Sequence, residues 1–270
     1  MLNKHLSGES LMKLFDSVVD FLVKVKQNPE QYRRHETERE AVQIANRPTA
    51  DQKSIICNGE PIAIDWPDVV THKQPHGLLL PKNCYRRAKN ERKPNMFVAH
   101  WDVCLSSKSC FNILKKRKLS VHFLIDNDGT IYQTMDCNDI AFHAGNRAVN
   151  NRSIGVEISN AYYPKYQDLY RKRGFGPRPL WKNVKVHGRE LEPFLGFYPI
   201  QERAFAALAK ALNNVYGIAL ETPTINDQPV KTVYPQVKNG TYNGIVNHYH
   251  ITNRKIDCAG FEIDKILKNI

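Results

Sequence analysis

The segment LSVHFLIDNDGTIYQTMD, residues 119–136, restricts the fold of this chain more than any other. Two runs rich in β-branched and aromatic residues flank turn-forming residues at 126–129, which is typical of an antiparallel hairpin. A second hairpin is predicted in SIICNGEPIAIDW, where apolar residues alternate on both sides of Asn58 and Gly59. A chain with such hairpins must contain a sheet that buries at least one face.

Further short apolar runs, NMFVAHWD at 95–102 and SIGVEISN at 153–160, predict additional strands. The segment QERAFAALAKALNNVYG, residues 201–217, predicts a helix, because its apolar residues recur at helical spacing and Gly217 can end it. Strands that alternate with helices over this length predict a mixed α/β layered domain.

The 270-residue chain changes character near residue 53. Apolar residues at helical spacing predict an amphipathic helix at 9–26, and a charged second helix follows it. We therefore divide the chain into an N-terminal helical extension, residues 1–53, and a main domain, residues 54–270. Two interpretations of the extension stay open, namely a helical hairpin docked on the main domain and an appendage that binds a delivery or docking partner.

A segment rich in Pro, Gly and Arg lies between Tyr162 and Pro199 and has no clear periodicity. A stretch of this length inside a compact domain is usually functional or part of a substrate-facing surface. We refer to residues 162–199 as the insert.

The charge of the chain indicates an anionic partner. Lys and Arg number 39 against 27 Asp and Glu, a net charge of +12, which favours nucleic acid, a membrane surface or a bacterial envelope polymer. The run KKRK at 115–118 is either a basic patch or a solvated face, and no nucleic-acid-binding motif accompanies it. We expect no transmembrane segment and no signal peptide, and the six cysteines without a CxxC pair favour synthesis in a reducing compartment.

Three residues in the sequence can form a metal site. His100 ends a predicted strand, His248 lies where another short apolar run ends, and Cys258 follows ten residues later. Two imidazoles and one thiolate are a common ligand set for a catalytic zinc ion that keeps a fourth position for water. Each of these residues taken alone is more often structural, and His250 competes with His248 for the same role.

Five blocks of the sequence, in order and spacing, resemble the zinc-dependent N-acetylmuramoyl-L-alanine amidases, the amidase-2 family: VAHWD, SVHFLIDNDGTIYQ, AFHAGN, NNRSIGVEISN and NHYH…RKIDCAGF. This family shares its fold with peptidoglycan recognition proteins and phage amidase lysins. The resemblance implies a mixed central β-sheet flanked by helices. It also implies a hydrolase that uses a zinc-activated water to cleave the amide bond between N-acetylmuramic acid and the L-alanine of the stem peptide in bacterial peptidoglycan or muropeptides.

The resemblance also implies roles for individual residues. The Zn²⁺ ligands are His100, His248 and Cys258. Asp257 is the rival for the third place, because one branch of the family has an aspartate in that register.

The remaining roles follow from the same blocks. Glu157 matches the acid that acts as general base, Lys255 the lysine that stabilises developing negative charge, and His143 a residue that lines the substrate cleft. Val121 stands where related enzymes commonly have a tyrosine, and His122 is interpreted as structural or as a support for the site.

Two other function classes are weighed against this one. A binding-only peptidoglycan receptor would keep the fold and lose a metal ligand, whereas all the expected ligands are present; a nucleic-acid-binding protein explains only the charge. We expect synthesis in the cytoplasm and action on the bacterial cell wall after release or delivery. A phage endolysin, an injected antibacterial effector and an enzyme of wall recycling all stay open.

Overall fold

The computed structural model describes residues 53–269. The predicted helical extension lies outside the described residues, so it stays a prediction, as does the domain boundary. Gln52–Ile270 forms one compact unit. Within the described part, none of the helices is long and apolar enough to cross a membrane.

The strands of the described residues are short. In chain order they are β1 (Ser54–Cys57), β2 (Glu60–Ala63), β3 (Val69–Val70), β4 (Tyr85–Arg86), β5 (Met96–Trp101), β6 (Phe123–Ile125), β7 (Ile131–Gln133), β8 (Ile140–Ala141), β9 (Ser153–Ile158), β10 (Leu180–Trp181), β11 (Lys185–Val186), β12 (Arg189–Glu190), β13 (Phe194–Leu195), β14 (Thr224–Ile225), β15 (Gln228–Pro229) and β16 (Gly244–Asn247).

The helices are mostly short as well. They are α1 (Ser107–Arg117), α2 (Arg147–Arg152), α3 (Gln167–Lys172), α4 (Pro199–Tyr216), α5 (Pro235–Asn239) and α6 (Ile263–Leu267). Single 3-10 turns occur at Lys82–Cys84, Pro164–Tyr166 and His248–His250.

The centre of the domain is a six-stranded sheet with the order β16-β5-β9-β6-β7-β3. Strands β16, β5, β9 and β6 are parallel, β7 is antiparallel to β6, and β3 is parallel to β7. The predicted mixed sheet is thereby confirmed. Because the carboxyl ends of the four parallel strands lie at one edge, residues that end these strands come together there.

The two faces of the sheet differ in what covers them. Residues alternate along β5, so Phe97 faces the opposite side from Val98 and His100. On the Phe97 side, helices α4 and α6 contribute to the largest apolar cluster, in which the rings of Phe97 and Phe205 stack with centroids 4.9 Å apart. On the other side, α1 and α2 pack through residues such as Phe111 and Val149. The sheet is therefore flanked by helices, as predicted.

The predicted hairpins and the long helix are confirmed. Asn58 and Gly59, with φ of 52° and 84°, form the turn between β1 and β2, as expected of a two-residue turn that needs positive φ at both positions. The 126–129 turn joins β6 to β7, and the Gly129 N–H donates to the Asp126 carbonyl. Helix α4 begins at Pro199 and ends at Gly217, whose φ of 67° terminates it.

Helix α1 was not predicted from the sequence. It begins after Ser106, whose Oγ accepts a hydrogen bond from the N–H of Ser109, and its last turn carries the basic run 115–118. These four basic side chains are exposed, so the run is the solvated face at the end of a helix, where cations interact favourably with the helix dipole.

The insert is ordered around one buried cation, Arg178. Its guanidinium lies between the rings of Tyr170 and Tyr198, 4.3 and 4.2 Å from their centroids. It also donates hydrogen bonds, two of them 2.8 Å long, to the carbonyls of Gly196 and Ser159. Two further acceptors, in the side chains of Gln201 and Asn127, complete its partners. Arg178 therefore joins the insert to β9, to the start of α4 and to the β6–β7 turn.

Replacing Arg178 with Met should lower the free energy of unfolding by about 3–5 kcal/mol, because several buried oxygens lose their donor at once. Urea denaturation followed by circular dichroism measures this change. Arg171→Met is the matched control, since Arg171 lies in the same insert in an exposed ion pair with Asp168, and it should cost less than about 0.5 kcal/mol. Equal costs for the two variants would contradict the role given to Arg178.

Candidate active site

Three buried donor atoms meet at the carboxyl edge of the parallel strands. His100 Nδ1 lies 3.0 Å from His248 Nδ1 and 3.1 Å from Asp257 Oδ2, and His248 Nδ1 lies 2.9 Å from the same carboxylate oxygen. His100 is near the end of β5, His248 directly follows β16, and Asp257 lies in the loop before α6. The parallel pairing of β16 with β5 brings the two histidines side by side.

This donor set fits a divalent metal ion. Zinc bound at about 2.0–2.1 Å in a tetrahedral site places its ligand atoms roughly 3.3 Å apart, close to the separations of about 3 Å between these three atoms. Imidazole nitrogens and a carboxylate oxygen are ordinary zinc ligands, and three protein ligands are typical of a catalytic site. The geometry thus favours a metal at His100, His248 and Asp257.

The third residue of the cluster differs from the expected one. Cys258 is buried in the main apolar cluster with Phe261 and Ala259 and is not part of the donor group. Burial raises the pKa of its thiol well above the ordinary value. Asp257, the rival in the sequence analysis, lies beside the two histidines instead.

Burial and contacts among the three side chains set the protonation states of the cluster. Burial alone would raise the pKa of Asp257, but close contact with the imidazoles of His100 and His248 brings it below its ordinary value. Burial and the neighbouring His248 lower the pKa of His100 to about 4, against the opposing effect of Asp257. A neutral imidazole and an ionised carboxylate at neutral pH are the protonation states that a metal ion requires.

Glu157 lies next to this cluster. It is the partner of His100 in the β5–β9 ladder, so the two side chains share one face of the sheet. Its Oε2 is buried and has no hydrogen-bond partner. Burial, followed by repulsion from Asp257 and Asp102, raises the pKa of Glu157 well above its ordinary value. An unpartnered carboxylate oxygen in such a position needs a ligand or water to satisfy it.

His143 is close to the cluster but is turned towards His100. Its Nδ1 is 2.9 Å from His100 Nε2, and its Nε2 is 3.1 Å from Ser153 Oγ. Both polar atoms of the ring are therefore engaged by the protein, which differs from the expected role in substrate binding. Ser153 was not singled out from the sequence. Strand alternation could have identified it, because Ser153 and Glu157 are four residues apart in β9 and therefore share one face of the sheet.

The other predicted residues have plain structural positions. His122 accepts a hydrogen bond from the N–H of Gly155 and donates to the Asp139 carbonyl, 3.1 and 3.0 Å away. His250 uses both nitrogens in the same way and is buried. Val121 is fully buried in the cluster that includes α1. His122 and His250 therefore bond to the backbone around the site, and Val121 packs in the core.

Lys255 lies exposed on the loop before Asp257. Its carbonyl accepts a 2.8 Å hydrogen bond from His187 Nε2, which fixes the loop against the insert. Its positive charge lowers the pKa of both His100 and Glu157, although it is a smaller influence than burial. The ammonium group is therefore within electrostatic range of the site.

Comparison with known proteins gives one family. The model of the N-acetylmuramoyl-L-alanine amidases matches residues 90–260, which contain all the residues of the site. A comparison with curated proteins found no match.

Several solved structures resemble the chain at low identity. They include the N-acetylmuramoyl-L-alanine amidase LysC from Clostridium intestinale URNW, with 19% identity over 76% of this chain and 97% of that chain and a TM-score of 0.42. A selenomethionine derivative of AmpD has 17% identity over 74% of this chain and 97% of that chain, with a TM-score of 0.41. AmpDh3 from Pseudomonas aeruginosa, in complex with anhydromuramic pentapeptide, has 19% identity over 71% and 66% of the two chains, with a TM-score of 0.42. The family assignment depends on the family model and not on these likenesses.

Metal analysis of two single variants tests the ligand set. We expect about one zinc per chain in the parent protein, strong loss in Asp257→Ala, and retention in Cys258→Ala, because only the carboxylate lies among the donors. Elemental analysis after dialysis measures all three proteins. Loss of zinc from a folded Cys258→Ala protein, with retention in Asp257→Ala, would return the ligand role to the cysteine.

Proposed function

The chain belongs to the N-acetylmuramoyl-L-alanine amidase family, and we propose that it works with one zinc ion held by His100, His248 and Asp257. It is a peptidoglycan hydrolase that cleaves the amide bond between N-acetylmuramic acid and the L-alanine of the stem peptide. The observation that carries the zinc proposal is the convergence of three buried donor atoms about 3 Å apart. A binding-only receptor is disfavoured by the same observation, because such a protein has no need of a complete donor set.

The division of labour follows from the chemistry of amide hydrolysis. When bound, zinc polarises the substrate carbonyl and makes a water acidic enough to attack near neutral pH. Glu157 Oε2 is the acceptor for the proton of the attacking water, since it is the unpartnered oxygen on the same face as His100. Glu157 then returns that proton to the leaving nitrogen of L-alanine.

Two features of the environment suit Glu157 to this role. Its raised pKa lets it hold a proton between the two steps. A group that accepts and then returns a proton is most effective when its pKa lies near the working pH. A divalent cation held by Asp257 would offset the repulsion from that carboxylate, and burial, the larger cause of the raised pKa, would remain. Lys255 supplies positive charge for the oxygen of the substrate carbonyl as negative charge develops there.

The insert and the charge suit a polymeric substrate. Residues 1–52 hold 8 basic and 8 acidic residues, so the excess of the remaining chain is 31 − 19 = 12. Exposed apolar side chains of the insert, Tyr163, Leu169 and Leu180, provide contact area for a large ligand. We therefore propose that the enzyme acts on the assembled cell wall after release or delivery, rather than only on soluble fragments.

Activity on isolated cell walls should consequently exceed activity on soluble muropeptides and should fall as salt is raised, because screening weakens the attraction to an anionic envelope. Product release from both substrates, measured over a series of salt concentrations, checks this. A preference for soluble muropeptides at every salt concentration would instead favour a role in wall recycling.

Glu157→Gln should lower kcat by roughly 10²–10⁴-fold, because the amide cannot accept the proton of the attacking water. Zinc content should stay at the parent level, since Glu157 is outside the donor group. Mass spectrometry of the digested muropeptides identifies the bond cleaved and measures the rate. The amide is nearly isosteric, so the variant should fold.

Glu190→Gln is a matched control, because Glu190 is an exposed glutamate of the insert and should retain parent activity. A zinc-loaded Glu157→Gln enzyme with near-parent activity would show that Glu157 is not the base. Cleavage at a peptide bond within the stem, in place of the lactyl amide, would contradict the assigned reaction.

A further inference from the structure

We propose that His143 is a positioning residue that fixes the ring of His100 and so determines which of its nitrogens is offered to the metal. The connection is a chain of hydrogen bonds from His100 through His143 and Ser153 to the carbonyl of Val149. This inference rests on the zinc site proposed above. It assigns His143 a role inside the protein, in place of contact with the substrate.

The chain of hydrogen bonds has a defined direction because a carbonyl can only accept. Ser153 Oγ lies 2.8 Å from the Val149 carbonyl and donates its single hydrogen there. The same Oγ, 3.1 Å from His143 Nε2, must then accept, so the proton of the neutral His143 ring is on Nε2. His143 Nδ1 is left as an acceptor.

The consequence reaches the metal ligand. His143 Nδ1 accepts at 2.9 Å from His100 Nε2, so His100 carries its proton on Nε2. The lone pair of His100 Nδ1 is then free, and this nitrogen is the one that lies beside His248 and Asp257. A ligating histidine normally donates its other N–H to an acceptor that fixes its orientation, and here a second histidine is that acceptor.

The backbone of β9 is adapted to hold the His143 ring. A Cβ on Gly155 would lie 2.8 Å from both Cγ and Nδ1 of His143 and 2.9 Å from its Cε1, which is closer than such atoms approach. Gly155 is not among the glycines with positive φ, so its backbone conformation does not require glycine. The missing side chain therefore makes room for the imidazole ring.

The contact between the two rings is also restrictive. The rings of His100 and His143 meet edge to face, with centroids 5.1 Å apart and planes at 88°. Ser153 is fully buried. A ring held on one side by Gly155 and at both nitrogens by hydrogen bonds has little freedom to rotate, and His100 inherits that restraint.

Zinc affinity, measured by competition with a chelating indicator, tests the proposal independently of activity. His143→Ala should weaken zinc binding by about 10–100-fold, the usual effect of removing a partner of a ligating histidine. Gly155→Ala should weaken it as well, because the added methyl group displaces the ring. His143→Asn should be affected less than His143→Ala, since its side-chain oxygen can still accept from His100.

Gln133→Met is the matched control. Gln133 is a fully buried residue with two hydrogen bonds to the backbone of Ile56, both 2.7 Å long, outside the chain that leads to His100. It should lower the melting temperature of the metal-free protein and leave the zinc affinity of the folded protein nearly unchanged. If the His143 and Gly155 variants weakened zinc binding only in proportion to their loss of stability, the role of His143 would be structural and the proposal would fail.

Nitrogen NMR of the zinc-loaded parent protein gives a direct readout of the tautomers. We expect both His100 and His143 to be protonated at Nε2; protonation of His143 at Nδ1 would overturn the proposal. A parent protein that binds no zinc would overturn the zinc assignment and this inference together. Zinc binding by the parent with equal affinity in His143→Ala would overturn this inference alone.

Discussion

The parallel pairing of β16, β5 and β9 is the constraint on which the site depends. Their ladders fix His100 opposite Glu157 and bring the end of β16 to the end of β5. Hydrogen bonding between neighbouring strands sets these distances, so the separation of His100 from Glu157 is a property of the sheet and not of a loop. Among the three donors, only Asp257 comes from irregular structure, and it lies against the two imidazoles. Functional groups on regular elements are positioned more accurately than groups on loops.

Much of the fold could be predicted because its main elements have strong local patterns. The turns at Gly59 and Gly129 have residues that are typical of β-hairpins. Helix α4 is long enough for the helical spacing of its apolar residues to be recognised in the sequence. Helix α1 was not predicted, since it is short and strongly basic and packs through few residues, among them Phe111 and Leu114. The insert could not be predicted for a different reason: Arg178 orders it through contacts with distant parts of the chain, which leave no periodic signal.

The sequence also singled out most of the residues that the structure brings together. His100, His248 and Glu157 lie on or next to strands, where alternation and strand ends restrict the direction of a side chain. Asp257 and Cys258 are neighbours in an irregular loop, so the sequence holds no pattern that decides which of the two faces the histidines. The contacts of His143 could not be predicted either, because Ser153 and Val149 are brought to it by the packing of α2 against β9 and not by their spacing in the sequence. Sequence reasoning thus reached the residues whose directions are set by regular structure.

The placement of Arg178 has a consequence for local unfolding of the domain. One guanidinium satisfies acceptors in the insert, at Ser159 directly after β9 and in α4 at Gln201. None of these segments can therefore separate from the others without leaving a buried charge unpaired. Local unfolding generally follows such cooperative units. Amide hydrogens of the insert should therefore exchange with solvent together with those at the start of α4. The insert should behave as a rigid surface and not as a lid that opens by itself.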